Sequence, residues 1–361
     1  MTVEERDIIG LYGVPGVGAK TFARLAARFG SAGRVLAASG DELMTVPGVG
    51  PKLAHSIDAF DAAGFAERQR RLMDNAGAVA ITRNDDRYPA PLKEFFSAPP
   101  VLFVRGDVRA LGMTSIAFVG TRKPSSYGRK MTRRLVCETA SSGICVVSGM
   151  AEGVDSEAHR AALDEGGSTV AVFGCGVDVI YPSVNRPLSE EIALSGCLVS
   201  HFPMGTRCSP GNFPARNAVI VGISIATVVV EAPRKSGALI TAELAIRAGR
   251  RLFAVPGNAD SPTCEGTNAL FARGAEPVMS METALASLGK KAAGRRAAQP
   301  VKPATSGLAG EIVTVLAEGP RHIEDIAGRL DVSTAEALGE MTLLEIDGYV
   351  RQLPGMRFEL R

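Results

Sequence analysis

No run of roughly eighteen consecutive apolar residues occurs anywhere in the chain, which excludes a membrane-spanning helix. Met1 to Gly10 is charged where a secretory leader needs an apolar core, so the expected location is the cytoplasm. The six cysteines, Cys137, Cys145, Cys175, Cys197, Cys208 and Cys264, show no C-x-x-C spacing and sit mostly within apolar strand or helix runs. That pattern favours buried free thiols over a metal cage or a disulfide framework. An excess of either charge is missing too, since the net charge is only +2, and the distribution of charge carries more information than its sum. No G-x-G-x-x-G follows a strand candidate, and the Gly-Cys-Gly at 174–176 lacks the third glycine before a helix, which disfavours a dinucleotide-dependent enzyme.

What is present is length and apolar content: 361 residues, 46% of them hydrophobic, predict two or three domains with a sizeable core. Four segments are expected. Residues 1–70 form a small helical, SAM-like domain and 71–288 an α/β domain; residues 289–305 form a basic flexible linker and 306–361 a winged-helix domain.

The first segment carries an internal repeat, VPGVGAK at Val14–Lys20 and VPGVGPK at Val46–Lys52. Pro-Gly-Val-Gly makes a tight helix-to-helix turn, so each copy reads as a helix-hairpin-helix signature. Lys20, Arg24 and Arg28 recur every four residues on one helix face, while Phe22, Leu25 and Phe29 turn inward. Lys20, Arg24 and Lys52 are candidate secondary contacts to a DNA backbone. The competing reading is a solvated helical surface, because the eight basic and eight acidic residues of 1–70 cancel. The region between Leu72 and Asp107 reads as two short strands around a proline-rich excursion, a lead-in layer packed on the sheet that follows.

From Ser115 to Asp155 the order is apolar run, Gly, polar loop, helix-period run, apolar run, Gly, polar loop, the grammar of a doubly wound parallel sheet. Further strands are expected at 168–173, 197–200, 226–231 and 251–255, with helical stretches between most of them. Ligands of such sheets sit beyond the strand ends. Arg122 and Lys123 follow the first strand where the next helix N-terminus would face an anion, which predicts a phosphate-reading mouth. Ser148, Gly149 and Gly153 would bring backbone N–H groups to it, and Asp155 would cap or orient the loop. Ser236, Gly237 and Thr241 open a second helix and could serve a second phosphate. Phe213 stands in a polar, glycine-rich loop, either to stack a base or to anchor that loop.

The terminal segment reads as three amphipathic helices and a hairpin turning at Pro354-Gly355. Its third helix has no Lys or Arg, and residues 307–361 hold ten acids against five bases, which favours protein contact over groove binding.

GTRKPSSYG, SGMAEGVDSEAH, TVAVFGCGVDVIYPSVN, FPARN, VVVEAPRKSGALITAELA, VPGN and GTNALFARGAEPV, in this order, resemble the DNA processing protein A family, also called Smf. The resemblance implies an extended Rossmann fold, usually dimeric, that binds single-stranded DNA during natural transformation and helps load the RecA recombinase onto it. It implies no cofactor, no metal and no catalytic residue. Arg122 matches the arginine of the family's Gly-Ser-Arg motif, and Arg216 and Asn217 match its Arg-Asn pair. At the next position this chain has Ala218 where another basic residue is common. A rival reading is a nucleoside-monophosphate hydrolase of the lysine-decarboxylase-like Rossmann group, with Glu243 as its acid. Another is a small-nucleotide sensor on the same fold.

Overall fold

Runs of small and β-branched apolar residues, each closed by glycine or a small polar residue, form the strands of a nine-stranded sheet in the computed structural model, which describes residues 1–290, 307–317, 319–346 and 349–360. Most of the expected linker at 289–305 lies outside the described residues. The chain divides after Gly294 into two compact units.

The larger unit begins with six helices, α1 (Val3–Tyr12), α2 (Ala19–Phe29), α3 (Ala32–Leu36), α4 (Gly40–Met44), α5 (Pro51–Asp58) and α6 (Ala62–Ala76). The two repeats are the α1–α2 and α4–α5 turns, where Gly16 and Gly48 take φ of 94° and 87°, values open to glycine without strain. Phe22 and Leu25 are buried and Phe29 is half-buried, as the four-residue spacing predicts. The apolar side chains of these helices continue into one face of the sheet, joining Val101, Phe103, Ala171, Phe173 and Leu198 in a single cluster.

The sheet comprises β1 (Ala78–Thr82), β2 (Val101–Gly106), β3 (Ser115–Val119), β4 (Cys145–Ser148), β5 (Thr169–Val172), β6 (Cys197–Ser200), β7 (Ala226–Val229), β8 (Arg251–Ala254) and β9 (Glu276–Pro277), in the order β1-β2-β6-β5-β4-β3-β7-β8-β9. The helices of this region are α7 (Ala90–Lys93), α8 (Ser126–Ser141), α9 (Val154–Asp164), α10 (Arg186–Ser195), α11 (Asn212–Ile223), α12 (Gly237–Arg247), α13 (Glu265–Phe271) and α14 (Met281–Ser287). Strands β3 to β9 pair in parallel. Alternate residues of β3 serve opposite faces: Ala117 and Val119 pack toward α11 and α12, Ile116 and Phe118 toward α8 and α9. The lead-in region is corrected by the structure, because β1 and β2 extend the sheet antiparallel beside β6 rather than lying on it as a layer. Val101 to Val104 are buried on both faces, which suits a strand inside a sheet.

The smaller unit has helices α15 (Leu308–Leu316), α16 (Ile323–Leu330) and α17 (Thr334–Ile346) and strands β10 (Arg321–His322), β11 (Val350–Leu353) and β12 (Arg357–Leu360). It is a winged helix with its own apolar core of Ile312, Leu316, Ile326, Met341 and Leu344. The short β10, which the sequence pattern did not announce, completes a three-stranded sheet. Leu338 and Leu343 face solvent on α17.

Candidate nucleic-acid interface

Strand β3 lies between β4 and β7, so the crossovers after β3 and β7 leave the sheet in opposite directions and their loops part. A cleft of about 650 Å³ opens there, lined among others by Arg122, Lys123, Phe213, Lys235, Gly237 and Thr241. Of the expected contact residues, Arg122, Lys123, Phe213, Arg216, Asn217, Ser236, Gly237 and Thr241 all border it. Lys20, Arg24 and Lys52 do not; they are exposed on the N-terminal helices, where Arg24 donates to the carbonyl of Pro47 at 3.1 Å and ties one hairpin to the other.

The helix that the sequence reading placed behind the mouth is already capped. Ser125 Oγ accepts from Gly128 N at 3.1 Å, and the buried Glu231 carboxylate accepts from Ser125 N at 2.8 Å. The protein's own carboxylate therefore sits at the N-terminus of α8, and the expectation that this helix end receives a phosphate is corrected. The Arg122 side chain is exposed, with its guanidinium carbon 5.6 Å from the Phe213 ring centroid.

Arg216 also lies against Phe213, at 5.5 Å, but it is buried. Its Nη1 donates to the carbonyls of Gly149 and, at 3.0 Å, Val172, and its Nε donates to Asn217 Oδ1 at 3.0 Å. Burial lowers the Arg216 pKa, with Asp155 opposing the shift. Burial raises that of Asp155, with Arg216 and nearby donors opposing. Arg216 and Asn217, which the family resemblance put among the DNA contacts, thus tie the ends of β4 and β5 together beneath Phe213. The neighbouring Ala218 is half-buried against the core.

Three more expectations are corrected by packing. Ser148 is fully buried, its hydroxyl donating to the carbonyl of Phe118 at 2.6 Å. Gly149 is needed because a β-carbon there would overlap the Arg216 guanidinium. Gly153, at φ 88°, lets the loop after β4 press on the backbone of Thr121 and Arg122. Ser148 and Gly153 hold the Arg122 loop in place, while Gly149, set against Arg216, borders a small pocket with Arg122, Tyr181 and Phe213. Asp155 orients the same loop, accepting from Ala151 N at 3.3 Å. His159 is fully buried, with Nδ1 2.7 Å from Thr169 Oγ1, and burial pushes its pKa down to about 3.

The N-terminus of α12 is the open one. Ser236 caps it, accepting from Ala238 N at 3.3 Å, while a β-carbon at Gly237 would meet nothing within 4 Å. Lys235 stands directly before it and lines the cleft, a residue the sequence reading passed over although a lysine preceding a helix start was there to be seen. Glu243, the acid of the hydrolase reading, is ion-paired with Arg273 further along α12 and is not among the cleft-lining residues. On α8, Arg133 and Arg134 pair with Glu157 and Glu138.

Fold and site together define a doubly wound α/β protein with a basic, aromatic-bearing cleft at its switch point, flanked in sequence by helix-hairpin-helix and winged-helix domains. Residues 79–289 match the DNA recombination-mediator protein A family, 296–356 its DprA winged-helix domain and 8–67 a helix-hairpin-helix motif. The chain belongs to this DNA-processing family. It is 33% identical to Protein Smf of Synechocystis over 96% of each chain. The X-ray structure of DNA processing protein A from Streptococcus pneumoniae matches with a TM-score of 0.70 at 30% identity, covering 79% of this chain and 98% of that one. A Helicobacter pylori DNA processing protein A structure, described for its single-stranded DNA binding mode, matches with a TM-score of 0.53 at 29% identity, covering 58% and 95%.

Proposed function

We propose that this protein binds single-stranded DNA across the switch-point cleft and passes it to a RecA recombinase during DNA uptake, acting in the cytoplasm as a homodimer and as a binding protein rather than an enzyme. The observation that carries the reading is Arg122, exposed beside the Phe213 ring. A guanidinium grips phosphate through two parallel N–H bonds, and a neighbouring ring stacks a base, which together suit a flexible, repeating polyanion. Lys123, Lys235 and the open N-terminus of α12 add positive potential along the same cleft. The acidic winged-helix domain, with Leu343 exposed on α17, suits a protein partner better than a phosphate backbone.

Titration of the full chain with labelled oligothymidine, read by fluorescence anisotropy at several salt concentrations, tests this. Binding should weaken steeply with salt and exceed binding to duplex. Arg122→Ala should lower affinity several-fold or more and reduce the salt slope by roughly 0.7. Unchanged affinity in that variant would sink the proposed mouth. RecA-dependent strand exchange on DNA precoated with a single-strand-binding protein tests the delivery step, and sedimentation tests the dimer.

A further inference from the structure

The strap of residues 201–211, which joins β6 to α11, brings the N-terminal helices into contact with the wall of the cleft. Phe213 is the second residue of α11, and Pro210 lines the same cleft, so the placement of the ring follows the placement of this strap. Three ties hold the strap and its junction with α11 to the loop after β5. Gly176 N donates to the carbonyl of Thr206 at 2.9 Å, the Asp178 carboxylate accepts from Gly205 N at 2.9 Å, and Asn212 Nδ2 donates to the carbonyl of Gly174 at 2.9 Å. The Gly-Cys-Gly at 174–176 finds its reason here. A β-carbon on Gly174 would come within 3.2 Å of the Phe213 ring, and one on Gly176 would meet Gly205 N at 2.8 Å and the Pro203 carbonyl oxygen at 2.9 Å.

A fourth tie comes from the N-terminal helical region, 135 positions earlier in the chain. On α6 the buried positions Ala66, Gln69 and Met73 are spaced by three and four residues, so a glutamine occupies the middle of an otherwise apolar inward stripe. Gln69 is 4% exposed; its Oε1 accepts from Met204 N at 2.7 Å, and its Nε2 donates more loosely, at 3.5 Å, to the carbonyl of the same residue. A side-chain amide that pairs both backbone groups of one residue acts as a neighbouring strand would, fixing position and orientation together. A leucine at 69 would suit the apolar stripe but would remove that partner from the buried Met204 N–H and C=O. Leu72, one turn further along α6, lies 4.0 Å from the place a β-carbon on Gly205 would take. The same helix therefore meets the strap at two consecutive residues.

We infer that Gln69 is a positioning residue for the cleft: through Met204 it fixes the strap that sets Phe213, so the N-terminal helical region tunes single-strand affinity without touching the strand. This rests on the single-strand reading above, and its test separates the two. The full chain is titrated with oligothymidine at several salt concentrations. Gln69→Leu should weaken binding by about three-fold or more, because a strap that must be ordered on binding costs affinity. The salt slope should stay at its wild-type value, since no phosphate contact is lost. Hydrogen exchange of the peptide spanning 201–213 should quicken in this variant while β4 and α8 keep their wild-type rates. Val35→Ala, which opens a cavity in the buried core of the same helices away from the strap, should lower the melting temperature yet keep wild-type affinity. If Gln69→Leu fails to fold, Asp178→Ala, which frees Gly205 N from the other side of the strap, carries the same expectation for affinity and salt slope. Unchanged affinity or unchanged exchange at 201–213 overturns the positioning role alone, as does an equal loss of affinity in Val35→Ala. Failure of the wild type to bind oligothymidine overturns that role and the reading beneath it.

Discussion

Helices α8 and α12 start from equivalent positions, each just after a strand at the switch point, yet one end is closed and the other open. At α8 the buried Glu231 carboxylate takes the place an anion would occupy. At α12 the cap is a serine hydroxyl, the next residue is a glycine with open space beside it, and a lysine precedes it. Being a helix start beyond a parallel strand is thus not enough to make an anion site. What matters is whether the protein has already satisfied the N–H groups with charge of its own. The closed end gains rigidity, which the exposed Arg122 beside it uses as a fixed base.

The largest expected effect tests that rigidity. Arg216→Ala removes the donor that ties Gly149 and Val172 and leaves buried Asp155 without its nearby cation, so chemical denaturation should show a loss of about 3 kcal/mol or more, with DNA binding falling in parallel. A variant of wild-type stability would mean that the closed side owes little to this tie.

A smaller effect comes with pH. His159 and His201 are buried, with pKa values pushed down to about 3 and about 4. Below the ordinary histidine value of about 6.5 the unfolded chain takes up these protons and the folded chain does not. Stability should hold above that pH and fall below it, down to about 4 for His201 and about 3 for His159, by about 2 kcal/mol per histidine at pH 5. Asp155, whose pKa burial raises, works in the opposite direction. Denaturation of wild type and His159→Gln across this range measures the slope, which should be shallower in the variant.

The smallest effects compare the two helix ends directly. Lys235→Ala should weaken oligothymidine binding by a few-fold and lower the salt slope by roughly 0.7, because it faces the open end. Glu231→Gln keeps an acceptor for Ser125 N while removing a charge, so affinity should rise about two-fold or less. A larger rise would mean that α8 can be opened as a second anion site.

Much of this architecture was legible in the chain. The strands at 115, 145, 169, 197, 226 and 251 begin within one residue of where the apolar runs place them, because strands buried on both faces leave unbroken runs of small and β-branched residues. The repeated Pro-Gly-Val-Gly turns were visible as plain text. The residue types bordering the cleft were legible too, since strand ends in a doubly wound sheet fall on one edge. What stayed hidden depends on contacts far apart in sequence. Glu231 reaches Ser125 across 106 positions, and Arg216 reaches Gly149 across 67. No local pattern tells an arginine that faces solvent from one that ties two strands.

The sequence by itself therefore determined the order of strands and helices along the chain and put an arginine directly after β3, because periodicity and glycine punctuation are local and additive. The tertiary structure alone decided which helix end stays open, that Arg216 and Ser148 are structural, and that Tyr181 faces Phe213. Those outcomes depend on burial and on competition among donors and acceptors for the same partners, which exist only once the chain has closed on itself.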